Sequence, residues 1–156
     1  MTNSVKEFIT KYGLEKNMLF ENSNWVVSLR PEQKTPFSLI ISIKSDVYKI
    51  SDLTKKQNLE LFECYSFIED LAFNKLNANN INYLCLMMID SIVHFHVFPR
   101  FRNSFSFDKY VLEDKYFPKP VDLTDGFSFD NIDLKKIFNF LNKLNLISEL
   151  KDDKKN

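Results

Sequence analysis

Two glycines, Gly13 and Gly126, are all that this 156-residue chain contains. A glycine-rich phosphate loop or a dinucleotide fingerprint needs several of them close together, because only a bare backbone can come near enough to a phosphate. Neither motif exists here, so any phosphate chemistry falls to side chains and ordinary backbone amides. Cysteine is equally scarce. Cys64 and Cys85 lie inside predicted regular elements and read as buried free thiols, with no disulfide or metal spacing. Apolar runs are short: Tyr83 to Ile89 is far below the roughly 20 residues of a membrane span. The Met1 to Glu7 segment lacks the apolar core of a secretory leader. A soluble, cytoplasmic protein with no membrane partner is the expectation. Neither sign of charge prevails, with 21 basic and 21 acidic residues. That balance argues against an extended nucleic-acid surface and leaves room for a local anion site.

What is abundant is apolar and aromatic. Hydrophobic residues make up 44% and aromatic residues 15%, with 16 phenylalanines, enough for one domain with a substantial core. No internal repeat or linker is visible, and the single domain spans 1–156. Residues 4–12 predict a short helix stopped near Gly13. Strands are expected at 18–21 and 25–29, with a turn at Asn22-Ser23-Asn24, and a central strand at 37–43. Between them lies the polar, proline-bracketed loop Arg30 to Pro36. Thr54 and Gln57 fit a capping box before a long helix over about 55–76, whose buried stripe is read as Leu61, Phe62, Tyr65, Ile68 and Leu71 or Ala72. Strands at 82–88 and 92–98 follow, joined around Asp90-Ser91. Residues 101–130 read as irregular, 133–144 as an amphipathic helix with Ile137, Phe138, Phe140 and Leu141 on its apolar side, and 151–155 as a solvated tail. The order predicts an α+β fold with an antiparallel sheet.

The only two histidines, His94 and His96, stand two apart in Val93-His94-Phe95-His96-Val97-Phe98-Pro99-Arg100. On a strand both imidazoles share a face, and Val93, Phe95 and Val97 share the other. The simplest packing puts the Val/Phe face in the core and the histidines at a cleft. Pro99 is expected to end the strand or to lie at an edge. Three readings of the pair are open. It is a hydrogen-bonded structural pair; or it is two ligands of a metal, although a catalytic metal usually wants about three protein ligands and no third is evident; or it is a nucleophile and its partner. A neutral imidazole can attack phosphorus while its neighbour stabilises charge on the phosphoryl oxygens.

The block Val93 to Arg100 resembles the signature of the histidine triad family, in which three histidines alternate with apolar residues and Pro-Arg often follows. Trp25-Val26-Val27-Ser28-Leu29-Arg30-Pro31-Glu32-Gln33-Lys34-Thr35 and Asn82 to Met88 resemble its bacterial diadenosine polyphosphate hydrolase-like branch. The resemblance covers roughly 20–105. It implies a five-stranded antiparallel sheet with a long helix and a C-terminal helix, a core over about 18–105 and an extension over about 106–150. It also implies a homodimer through the long helix and a sheet edge. The activity implied is cleavage at a nucleotide α-phosphate, of a dinucleoside polyphosphate or nucleoside phosphoramidate, with no cofactor and no metal. His94 falls on the nucleophile that forms a nucleotidyl-histidine intermediate, and His96 on the contact to the phosphate oxygens. Arg30, Gln33, Thr35, Asn82 and Arg100 are the candidate nucleotide- or phosphate-binding residues.

This chain departs from the family pattern in four places. Ile92 stands at the first triad histidine, Phe37-Ser38 at a Gly-His pair, Ile89-Asp90-Ser91 at a Gly-Gln loop, and Leu29 at an Asn. A catalytically weak nucleotide-binding or regulatory module of the same fold is therefore the alternative. The Ile92 carbonyl still offers an acceptor to the far ring nitrogen of His94, which would fix the tautomer. Phe37 lies beside the expected cleft.

Overall fold

The computed structural model describes residues 3–124, 127–128 and 131–152. In chain order the elements are α1 (Asn3–Tyr12), β1 (Met18–Glu21), β2 (Trp25–Leu29), β3 (Glu32–Gln33), β4 (Leu39–Ile43), a 3₁₀ turn (Ile50–Asp52), α2 (Lys55–Glu69) continued by a π-helical turn (Asp70–Lys75), β5 (Asn80–Leu84), β6 (His94–Arg100), β7 (Phe105–Phe107), β8 (Tyr110–Leu112), β9 (Phe127–Ser128) and α3 (Asn131–Asp152). The expected solvated tail lies outside the described residues from residue 153 onward.

The main sheet has five antiparallel strands in the order β1-β2-β4-β6-β5. Strands β3 and β9, and β7 and β8, form two small pairs. Side-chain alternation divides the sheet sharply. Trp25, Val27, Ile41, Ile43, Phe95 and Val97 point to one face, where Leu61, Cys64, Ile68, Leu71 and Ala72 of the long helix cover them. Leu134, Ile137 and Leu141 of α3 close the end of this core. The other face carries a smaller cluster, in which Val5, Phe8 and Leu14 meet Val26, Ile40 and Ile92.

The α2 capping box forms as its sequence predicts: the Thr54 hydroxyl accepts from the Gln57 N–H at 3.2 Å, and Gln57 Oε1 accepts from the Thr54 N–H at 2.8 Å. Phe62 is a correction, because it is 70% exposed. The buried stripe runs through Leu61, Cys64 and Ile68 at spacings of three and four, which turns the residue after Leu61 about 100° away from the core.

The strand boundaries also shift. β5 ends at Leu84, and a loop over 85–93, with Met87 at φ +48°, replaces the expected tight connection. Cys85 therefore lies in a loop, half-buried, while Cys64 is buried in α2; both are free. Pro99 neither ends β6 nor lies on an edge strand. It pairs with Ile81 of β5, inside the sheet. The Arg100 carbonyl accepts from Asn79 on the β5 side, so by alternation Pro99 faces β4, and the β4 ladder has already stopped at Leu39–Val97. No donor is needed there.

Phe37 is the other surprise. Its backbone sits at φ +62°, in the left-handed region that favours glycine. Its side chain is fully buried on the α2 side, 4.9 Å edge-to-face from Phe105 and near Phe101 and Phe140. The ring therefore points away from the histidines. Aromatic burial holds a phenylalanine in a conformation that costs on the order of 1 kcal/mol or more for a non-glycine residue.

Candidate functional site

β6 is an interior strand, and its even-numbered residues His94, His96, Phe98 and Arg100 point to the face that α1 covers. The two imidazoles lie 4.9 Å apart, ring centre to ring centre, nearly perpendicular. His94 Nδ1 donates to the Ile92 carbonyl at 2.8 Å. A carbonyl can only accept, so the proton is on Nδ1 and Nε2 keeps its lone pair. Ile92 thus supplies through its backbone what the tautomer of His94 requires.

His94 is 2% and His96 7% exposed. The expectation of an open cleft is corrected: α1 lies over the pair. The Phe8 ring is 4.8 Å from that of His94, and the Tyr12 ring 6.1 Å from that of His96. At the end of α1, Lys11 Nζ meets Asp90 Oδ2 at 2.6 Å and the Tyr12 hydroxyl donates to the same oxygen at 3.2 Å. A cavity of about 320 Å³ opens beside this junction, lined by Glu7, Phe8, Lys11 and the 89–92 segment. A larger one, about 630 Å³, lies at the β5 edge against the 117–121 segment. Neither includes a histidine in its wall.

Two buried polar atoms in this region have no hydrogen-bond partner, His96 Nδ1 and Arg30 Nε. Arg30 follows β2, where its N–H donates to the Ser38 carbonyl. Its Nη1 donates to the Glu32 carbonyl at 2.7 Å. Burial pulls its guanidinium below the usual range, against the attraction of Glu32 and Tyr12. Gln33 and Thr35 are fully buried but turned inward on their own loop. The Gln33 amide donates to the carbonyls of Arg30 and Ser38 and accepts from the Ser38 N–H, and the Thr35 hydroxyl meets that of Ser38 at 3.2 Å. They brace the loop that carries Arg30.

Asn82, opposite Phe98 on β5 and diagonal to His96, has its side chain engaged by Arg100, which lies further along β6. Six residues along a strand put Arg100 about 20 Å from His94. Its Nε and Nη2 reach Asp114 at 2.7 and 3.2 Å, Nη1 reaches Asn82 Oδ1 at 2.6 Å, and Nη2 also donates to the Lys119 carbonyl at 2.8 Å. These donors pin the segment after β8 to the sheet. Asp114, Phe8, Lys11, Tyr12 and Asp90 are structural partners that the sequence reading did not select. Val5, Phe8 and Tyr12 recur at helical spacing, which was the available signal for α1. Asp114 had none.

Burial pushes both imidazoles below their usual range. His96 falls to about 4, through burial first and then through the charges of His94 and Arg30; for His94, burial outweighs the opposing pull of the Ile92 carbonyl and Asp90. An unfolded imidazole titrates near 6.5. Below that pH the unfolded chain takes up a proton that folded His96 refuses until about pH 4. The contribution is therefore complete above pH ~6.5 and is lost as the pH falls toward 4, by up to about 3 kcal/mol. Urea midpoints measured from pH 7 to 4.5 should fall more steeply for the native chain than for His96→Gln. Parallel curves would show that burial of this ring carries no such linkage.

Among the described residues, no group of three or more His, Cys, Asp or Glu side chains is placed to hold a metal ion. No described helix is long and apolar enough to cross a membrane.

No protein-family model and no curated protein matches the chain. Solved structures do. A histidine triad protein from Marinobacter aquaeolei aligns over 85% of this chain and 91% of its own, with a TM-score of 0.65 at 17% identity. A hypothetical histidine triad nucleotide-binding protein from Sulfolobus tokodaii aligns over 96% and 94%, with a TM-score of 0.67 at 12% identity. The NitFhit protein of C. elegans aligns over 82% of this chain at 15% identity and a TM-score of 0.59, and the chain spans 27% of that protein. The α+β fold with its five-stranded sheet is thus the one that the two histidine triad proteins have.

Proposed function

We propose that this chain is a nucleotide phosphohydrolase or transferase of the histidine triad type, acting at a nucleotide α-phosphate in a dinucleoside polyphosphate or nucleoside phosphoramidate. The observation that carries the proposal is the Nδ1–H to Ile92 carbonyl bond, which leaves His94 Nε2 as a neutral nucleophile on an interior strand. Nε2 attacks the α-phosphorus. A P–N bond forms, the P–O or P–N bond to the leaving group breaks, and the leaving group departs with the electron pair and takes a proton from solvent. Water then attacks the phosphoramidate; a P–O bond forms as the water loses a proton to solvent, the P–N bond breaks with its electron pair returning to His94 Nε2, and the mononucleotide is released. His96 and Arg30 are the donors for the phosphoryl oxygens, and the bound phosphate would pair their unsatisfied nitrogens. Gln33 and Thr35 act through the loop. Asn82 and Arg100 act as a brace for the segment that closes the sheet.

Incubation with diadenosine polyphosphates and adenosine phosphoramidates, followed by mass spectrometry, should reveal an acid-labile nucleotidyl adduct on His94 and release of AMP. Absence of adduct and product from every substrate would overturn the proposal. The second reading, a binding module without efficient turnover, is favoured by the burial of both imidazoles and by Ile92 at the first triad position. It would show ligand-induced thermal stabilisation with no product.

We place the protein in the cytoplasm, where thiols stay reduced, and propose a homodimer. Leu59 and Phe62, three residues apart on α2, are exposed apolar side chains, and Phe73 is exposed in the π-helical turn that continues the helix; large apolar groups left in water favour a partner surface. Light scattering should give twice the chain mass, and Phe62→Glu should halve it. A native chain that is monomeric at high concentration sinks this assignment.

A further inference from the structure

We propose that α1 is a displaceable lid over the histidine pair, latched by Asp90, and that a substrate reaches His94 only when this latch opens. The part concerning substrate rests on the nucleotide reading above; the lid itself does not.

The sealing is physical. In-line attack needs the reacting atoms about 3–3.5 Å apart. With the Phe8 ring centre 4.8 Å from that of His94 and both imidazoles buried, no phosphate ester fits beside Nε2. One element makes this roof. Val5 and Phe8 of α1, with Leu14 just beyond its end, form an apolar cluster with Val26, Ile40 and Ile92, on the opposite side of the sheet from the main core. Lifting α1 therefore leaves the core under α2 untouched.

A hinge is present. Gly13 follows α1 at φ +58°, where other residues are strained. Beyond it the chain is fixed to the sheet: the Leu14 carbonyl accepts from the Ser28 hydroxyl at 2.8 Å, and the Asn17 carbonyl accepts from the Leu29 N–H at 2.8 Å. The N–H groups of Gly13 and Leu14 cap the last turn of α1 by donating to the Thr10 and Ile9 carbonyls at 3.1 and 3.0 Å, so α1 lifts as one capped unit about the chain that follows Leu14 N. The latch is polar and half-exposed. Asp90 Oδ2 receives both Lys11 and Tyr12, and both bonds must break together when α1 lifts. The cavity of about 320 Å³ beside this junction already separates part of the helix end from the 89–92 loop.

The closed state also leaves His96 Nδ1 and Arg30 Nε buried and unpaired. Buried polar groups without partners raise the free energy of the state that holds them. An anion that enters under α1 satisfies both and so binds the open form selectively, which is what shifting such an equilibrium requires.

The test uses the full chain and diethyl pyrocarbonate, which acylates neutral imidazoles. With only two histidines in the sequence, the ultraviolet band of the product reports this site alone. In the native protein the reaction should be far slower than for free imidazole. Asp90→Asn should accelerate it about threefold to tenfold, as expected for loss of a partly exposed ion pair and weakening of a phenol hydrogen bond. Lys11→Arg, which keeps the ion pair, should stay at the native rate. Amide exchange over residues 5–12 should rise by a similar factor in Asp90→Asn, with β4 and β6 unchanged. Native histidines that react at the free-imidazole rate, an Asp90→Asn rate equal to native, or exchange that rises equally across the sheet would each overturn the lid. Nucleotide turnover separates the two claims. If kcat/KM rises with the acylation rate, both stand. If acylation accelerates while neither protein binds or cleaves nucleotides, the lid stands and the nucleotide reading falls.

Discussion

Replacement of His94 by alanine is expected to abolish the nucleotidyl adduct and to lower nucleotide release by about four orders of magnitude, the scale on which removing a covalent nucleophile acts. The geometry makes the effect asymmetric between the two histidines. His94 Nδ1 is committed to the Ile92 carbonyl, so its Nε2 lone pair is held in place by a fixed tautomer, whereas no hydrogen bond fixes the tautomer of His96. His96 has no hydrogen bond at Nδ1, and its protonated form is suppressed to about pH 4. In the proposed reaction it is therefore neutral, and would act by donating a hydrogen bond rather than by carrying charge. His96→Ala should leave the adduct detectable and slow its formation by about a hundredfold, as for loss of one preorganised donor. The experiment is single-turnover labelling with mass spectrometry of both variants, alongside thermal melts to show that each is folded. An adduct of native yield in His94→Ala would remove His94 as nucleophile.

Replacement of Asp114 by alanine is expected to cost about 3–5 kcal/mol of stability, the penalty for leaving one member of a buried ion pair without its partner. Arg100 is 4% and Asp114 7% exposed. The carboxylate takes Nε and Nη2 of Arg100 and also the Phe101 N–H at 3.2 Å, so its removal leaves several buried donors unsatisfied at once. Typical domains are stable by only about 5–15 kcal/mol, so much of the fold's margin is at stake. A combined Arg100→Met, Asp114→Leu variant should recover most of the loss, because it removes both charges rather than stranding one. Urea midpoints with a common slope measure both effects. A loss below 1 kcal/mol for Asp114→Ala would place this pair with ordinary surface bridges.

Legibility followed the range of the forces. The capping box at Thr54 and Gln57, the first two strands and the helix before Gly13 are local, and their residues are within one turn or one hairpin of each other. Phe62 was misplaced because Leu61 and Phe62 are both apolar neighbours, and which one faces inward depends on the sheet below. Phe37 points away from the histidines because Phe105 and Phe140, far along the chain, supply its pocket. The family resemblance made Arg100 a candidate anion donor, and Asp114 claims it through a pairing that nothing in the local sequence marks.

The sequence by itself determined that His94 and His96 share a face and that Ile92 stands two residues earlier with a carbonyl to offer, since strand alternation is a property of the backbone. Only the tertiary structure decided what lies above that face. The α1 residues Phe8 and Tyr12 roof the imidazoles from more than eighty positions away, held by Asp90. Contacts across such separations depend on how apolar surfaces and unpaired charges are jointly buried, and that is a property of the packed chain rather than of any spacing within it.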